Sequence, residues 1–226
     1  MKLRPRRIVH CFFAILSFSA MLVMSLPLPA SAEALRFEVD TREPVGDGRS
    51  YGEVGAYERL VGTIHFAIDP ANASNRIIRD VDLAPTSLDG RVEFSSDFYL
   101  LKPVDAEAGN GTVFVDVMNR GRKRALAYFN LTAAMNEPRS AADLGDGFLM
   151  EEGFSVLYIG WQFDAPLERN FMRVYSPVAT EDGDSIEGLV RADLVVTERI
   201  YDHSLGDRGH IPYAVVDPQD ERNELT

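Results

Sequence analysis

The stretch that decides the fold begins Phe98-Tyr99-Leu100-Leu101-Lys102-Pro103, an extended apolar run stopped by Lys-Pro. The turn Gly109-Asn110-Gly111 leads into Thr112-Val113-Phe114-Val115-Asp116-Val117-Met118. That second run is short, β-branched and nearly all apolar, the composition of a strand buried on both faces. The chain then turns at Asn119-Arg120-Gly121 and enters a helical pattern, Lys123-Arg124-Ala125-Leu126-Ala127-Tyr128-Phe129. A third strand, Phe154-Ser155-Val156-Leu157-Tyr158-Ile159, follows Glu151-Glu152-Gly153 and closes on Gly160-Trp161-Gln162. Strand, helix, strand predicts an α/β fold in which 113–118 and 156–159 are parallel neighbours joined by the 125–129 helix. The carboxyl ends of parallel strands share one rim, where ligands bind. Both unusual polar clusters, Asn119-Arg120-Gly121 and Gly160-Trp161-Gln162, fall at such ends.

In that order these pieces resemble the opening of an α/β-hydrolase. More narrowly, they are similar to a bacterial family described as "alpha/beta hydrolase domain" proteins. Further matching pieces are Gly48-Arg49-Ser50-Tyr51-Gly52, Gly55-Ala56-Tyr57-Glu58-Arg59-Leu60, Gly90-Arg91-Val92-Glu93-Phe94-Ser95 and Gly145-Asp146-Gly147-Phe148-Leu149. The likeness covers roughly residues 35–162. It implies an incomplete α/β-hydrolase-like sheet, with its first strands and first crossover helix, preceded by a β-rich meander and followed by a β-hairpin insertion. Members of the family are much longer than this chain. The expectation is therefore an N-terminal portion whose nucleophile, acid and histidine lie beyond Thr226. The reaction implied is acyl hydrolysis of the esterase type on a small-molecule substrate, without a cofactor.

Residues 1–32 read as a signal peptide. Lys2, Arg4, Arg6 and Arg7 form a basic start, an apolar stretch runs through 11–26, and Ala30-Ser31-Ala32 is a small-residue cleavage site. The mature chain is expected to begin at Glu33 and to be exported to the periplasm or beyond, with no membrane attachment once the leader is removed. Arg6-Arg7 invites a twin-arginine route, which its flanks do not support well. Cys11 is the single cysteine and leaves with the leader, so the mature chain has neither a disulfide nor a thiol nucleophile. Losing the four basic residues takes the formal charge from −12 to −16. Such acidity argues against nucleic acid as a partner.

Within the expected domain at 33–226, a β meander spans 35–101, the strand-helix-strand core 97–162, and a β-rich insertion 170–226. Strands are expected at 35–40, 57–69, 77–83 and 92–101, with a glycine-rich stretch of turns at 46–55. Further strands are expected at 172–178, 189–197 and 211–216, separated by acidic or glycine turns.

No G-x-S-x-G nucleophile elbow occurs. The nearest match, Gly183-Asp184-Ser185-Ile186-Glu187-Gly188, has no buried strand leading into it and reads as a solvated hairpin turn. Asn119, Arg120 and Gly121 occupy the loop after a central strand, where the resemblance implies half of an oxyanion hole built from backbone N–H groups. The alternative is a plain strand-to-helix turn. Arg120, Arg122, Lys123 and Arg124 crowd the positive end of the following helix, so something anionic should compensate, with local carboxylates the favoured choice. Asp116, the one charge in its strand, calls for an ion pair with a nearby arginine. Trp161 and Gln162 are pocket candidates, or else a core anchor and its neighbour. His65 falls on the polar face of its strand. His203 and His210 match no zinc spacing, Asp182 and Asp184 lack the rest of a calcium loop, and Gly48, Gly52 and Gly55 fail the dinucleotide fingerprint. No metal is expected. The competing expectation is a complete, secreted, β-rich binding protein without catalysis.

Overall fold

Alternating side chains and well-placed glycines build a long meander. The computed structural model describes residues 32–133, 136–167, 170–206 and 209–223. Of the expected leader, only Ala32 lies within them. Strands β1 (Ala32–Tyr51), β2 (Gly55–Ile68) and β3 (Val92–Pro103) pair antiparallel in sequence order. β1 runs well past the 35–40 segment read from sequence, because the glycine-rich stretch is absorbed as a bulge. The register slips between Val45 and Ser50, where Gly46, Asp47 and Gly48 take φ of 72°, 55° and 74°. The expected strand at 77–83 is absent. Short 3-10 turns stand at Ala73–Asn75 and Val81–Leu83 instead. Local turn bonds take the place of a ladder: Asn75 Nδ2 donates to the Asp69 carbonyl at 2.8 Å, the Ile78 N–H to the Asn75 carbonyl at 3.0 Å and the Leu83 N–H to the Asp80 carbonyl at 3.1 Å. Such bonds compete with a strand ladder.

β3 passes the sheet on to β5 (Ser155–Ile159), again antiparallel, with Phe98 opposite Ile159 and Leu101 opposite Val156. β5 then pairs with β4 (Val113–Val117) in parallel, Val113 opposite Ser155 and Val117 opposite Ile159. The crossover between them carries α1 (Ala125–Phe129) and α2 (Phe148–Glu151). The order is β1-β2-β3-β5-β4, with the short β6 (Val174–Tyr175) beside the start of β3. The parallel neighbours and their helical crossover are as expected. The α/β description fits that one unit only. The rest is an antiparallel, strand-dominated sheet with few and short helices.

The core lies between one face of the sheet and the crossover. Tyr57, Tyr99, Leu101, Val156 and Tyr158 from the strands meet Ala125, Leu126, Leu144, Leu149 and Met150. Buried Asn130 ties the crossover together. Its Nδ2 donates to the Leu144 carbonyl at 2.8 Å, its Oδ1 accepts from the Leu149 N–H at 3.0 Å, and its own carbonyl accepts from the Asp146 N–H at 3.0 Å.

β4 departs from expectation. Its composition predicts burial on both faces, yet it is an edge strand. Phe114 packs edge-to-face on Phe129 at 4.9 Å, while Val113, Val115 and Val117 are exposed, Val117 by 75%. β1 at the opposite edge carries Arg36, Glu38, Asp40, Arg42, Glu43 and Pro44, the charges and proline that blunt an edge. β4 has no such guard.

The β-rich insertion expected at 170–226 is also much reduced. Among the described residues it holds β6 and a small hairpin of β7 (Thr180–Glu181) and β8 (Asp184–Ser185). The strands expected at 189–197 and 211–216 do not form there. Their apolar residues, Leu189, Val195 and Val216 among them, stand exposed and pair with no strand among the described residues.

Candidate functional site at the carboxyl ends of the parallel strands

The parallel register puts Val117 level with Ile159, so the turns that follow β4 and β5 emerge side by side. They are in direct contact. The backbone N–H of Arg120 donates to Gln162 Oε1 at 2.6 Å, and Arg120 Nη1 donates to Asp164 Oδ2 at 2.8 Å. The indole N–H of Trp161 donates to the Met118 carbonyl at the end of β4. Asn119, Arg120, Trp161 and Gln162 therefore form one rim, with Asn119 exposed and Trp161 54% exposed.

Arg120, Gly121, Gln162 and Asp116 each make defined contacts. Arg120 adopts φ 52°, a left-handed conformation that costs a non-glycine residue about 1 kcal/mol, held by its two bonds to 162 and 164. Gly121 is also left-handed, φ 77°. A Cβ there would sit 2.6 Å from the Met172 carbonyl oxygen and 2.9 Å from Phe171 Cβ. Its lack of a side chain lets residues 171–172 close over the turn, and the Met172 N–H donates to its carbonyl at 3.2 Å. The close approach that glycine allows is taken by the chain itself. Gln162 is a clamp on the turn, since its side-chain oxygen accepts the Arg120 N–H. Asp116 does not pair with an arginine side chain. Its Oδ2 accepts the backbone N–H groups of Arg124 and Ala125, both at 2.9 Å, and so caps the start of α1.

The cationic run 120–124 divides among different partners. Arg120 is neutralised by Asp164. Lys123 is buried, with Nζ donating to the Asn136 carbonyl at 2.6 Å and lying 4.8 Å from the Tyr99 ring centre. Burial draws its ammonium down to about 8, against the upward pull of Glu137 and Asp97. Arg122 lies over the Phe171 ring at 5.1 Å. Among the described residues no carboxylate pairs with the Arg122 or Arg124 guanidinium.

Sequence reasoning missed Asp164 and weighed His210 only as a metal ligand. His210 is buried, its Nδ1 is 3.1 Å from the Asp164 carbonyl, and the next N–H, of Ile211, donates to the same oxygen at 3.1 Å. The segment around His210 is thus tied to the rim, a contact 46 residues apart that no local spacing announces. His203 is exposed. Ser185 is exposed in the β7–β8 hairpin, with no buried strand before it.

β3 runs against β5, so its first residues and the last of β2 lie at the rim's end of the sheet. There His65, Glu93, Ser95 and Tyr175 line a shallow open cleft. His65 is directly opposite Ser95, and its Nε2 lies 3.1 Å from Glu38 Oε2 and 3.0 Å from Arg36 Nη2. Asp97, beside this cleft, is raised above the usual carboxylate range by burial, although it accepts the Arg173 N–H at 3.0 Å. Among the described residues no group of three or more His, Cys, Asp or Glu is placed to hold a metal, and no helix is long and apolar enough to cross a membrane.

Fold and site together define a strand-dominated mixed sheet whose parallel pair, β4 and β5, ends in a polar, partly aromatic rim. Searches of protein-family models, curated proteins and solved structures find no match to this chain.

Proposed function

We propose that this chain is the N-terminal portion of an exported α/β-hydrolase-like protein of the esterase type, supplying part of an acyl-binding rim while other segments supply nucleophile, acid and histidine. The observation that carries the reading is the contact between the turns ending β4 and β5, made by Arg120 N–H and Gln162 Oε1. It supports reading Asn119, Arg120 and Gly121 as a strand-end loop of the kind that meets ligands. The edge of β4, unpaired among the described residues, adds to it. Apolar side chains flank that edge on both sides, Val113, Val115 and Val117 on one face and Phe129 on the other, as in a strand meant to lie inside a sheet. The export of the chain and its small-molecule substrate belong to the same proposal.

One observation favours a non-catalytic binding protein instead. The Arg120 N–H is already taken by Gln162, so it stabilises a developing oxyanion only if Gln162 swings away. The reading frame beyond the Thr226 codon separates the two. A continuation with a glycine-flanked serine after a buried strand, whose product cleaves 4-nitrophenyl acetate and loses that rate on Ser→Ala, supports hydrolysis. A stop codon at that point, with a folded product that binds but does not cleave esters, overturns it.

A further inference from the structure

Asn110-Gly111 is the one place in the chain where an asparagine precedes a glycine. That order invites a reaction of the chain with itself. The Gly111 backbone nitrogen can close a five-membered ring on the Asn110 side-chain carbonyl carbon, since glycine has no side chain to obstruct the approach. The pair sits on an open turn. Asn110 is exposed, and a Cβ built on Gly111, φ 72°, would meet nothing within 4 Å. The same carboxamide is a joint of the fold. Its Nδ2 donates to the Glu152 carbonyl at 2.6 Å, and its Oδ1 accepts from the Thr112 N–H at 2.8 Å. The Asn110 N–H donates to the Gly153 carbonyl at 2.9 Å, and the Ser155 N–H to the Thr112 carbonyl at 3.0 Å. These bonds fasten the turn before β4 to the turn before β5, at the amino ends of the parallel pair whose carboxyl ends form the rim.

We propose that Asn110 is a site of spontaneous deamidation that the folded turn holds in check, and that the modification, once made, unfastens the entry of β4 from that of β5. In the reaction the Gly111 nitrogen forms a bond to Asn110 Cγ and gives up its proton. The Cγ–Nδ2 bond breaks, and ammonia leaves. Water then opens the cyclic imide at either carbonyl, which leaves an aspartyl or an isoaspartyl residue. In the folded chain both ends of the carboxamide are held, so Cγ cannot turn towards the nitrogen, nor Nδ2 depart, until the turn opens. The product carries a carboxylate in place of the Nδ2 donor. It no longer donates to the Glu152 carbonyl and sets a negative charge against that oxygen.

The test incubates the purified chain in mildly alkaline buffer, with and without denaturing urea, and follows the mass of the peptide that contains Asn110. The expected result is the mass gain of deamidation in that peptide, at a rate at least about tenfold lower in the folded chain than in urea. Asn110→Gln abolishes the gain, because its longer side chain must close a larger ring. Asn110→Asp, which copies one product, lowers the melting temperature by about 2–4 °C, the shift for the loss of one hydrogen bond in a chain of this size. The comparison of rates needs no variant, so it stands even if Asn110→Asp fails to fold. No mass gain in urea overturns the site. Equal rates in the two states overturn the protection by the turn. A gain that persists in Asn110→Gln belongs to another residue and overturns the assignment. An unchanged melting temperature in Asn110→Asp overturns the unfastening of β4.

Discussion

Asp116→Ala tests whether the one charge in β4 is there to cap α1. In the folded chain Asp116 Oδ2 accepts two backbone N–H groups, from Arg124 and Ala125, each at 2.9 Å. A hydrogen bond to a charged group contributes about 1.5–3 kcal/mol, and a buried donor left unpaired costs about as much. Ala125 is 2% exposed, so its N–H would find no water and its full share, about 2 kcal/mol, is lost. The N–H of half-buried Arg124 regains water in part, and its loss is about 1 kcal/mol. The expected cost is therefore about 3 kcal/mol for alanine. It falls to about 1.5 kcal/mol for Asp116→Asn, which keeps a neutral acceptor. The assay is equilibrium urea unfolding followed through Trp161, whose indole is bonded to Met118 at the end of the same strand. An unchanged m-value would show that both variants unfold from the same compact state. A loss below about 0.5 kcal/mol for alanine would refute the capping argument, and Asp116 would have to be retained for another purpose.

Other expectations follow from the same geometry. Burial lowers Lys123 from 10.5 to about 8, so between those values the unfolded chain holds a proton that the folded chain has released. Stability should then rise by about 1 kcal/mol per pH unit near pH 9, and that slope should vanish in Lys123→Met; urea titrations at pH 7.5, 8.5 and 9.5 compare the two proteins. Gly160→Ala would drive a Cβ into the backbone of Arg173 and loosen β6 from the rim, at a cost of about 2 kcal/mol. An unchanged melting temperature would argue against that packing. Arg120→Gly should be tolerated better than Arg120→Ala by about 1 kcal/mol, because glycine accepts φ 52° without strain while both variants lose the pair with Asp164; thermal unfolding ranks them. Val117→Lys should shift stability by less than about 0.5 kcal/mol and reduce self-association in light scattering, whereas a loss of 2 kcal/mol would mean that the β4 face is covered.

Local patterns in the chain determined its strand-helix-strand unit. The runs at 113–118 and 154–159 are apolar and short, and α1 lies between them, so the parallel pairing and the shared rim could be read directly. Turn residues marked the bulge at 46–48 and the hairpin at 182–183, where backbone geometry is set by the residues themselves. Composition predicted that β4 is buried on both faces, and Val113, Val115 and Val117 are instead exposed. It could not report that the described chain leaves β4 at an edge, because burial depends on what packs alongside. The same limit explains the lost strands at 189–197 and 211–216, since a β-run is a strand only where a partner edge accepts it. Asp116 looked like an ion-pair partner because sequence shows charges and not free N–H groups; only the turn after β4 brings two of these to its carboxylate. Gln162 became a clamp, and Asp164 and His210 joined the rim, through contacts across 42 to 46 residues. Tertiary structure alone decides such pairings, because the distances that set hydrogen bonds and desolvation exist only once the strands have aligned.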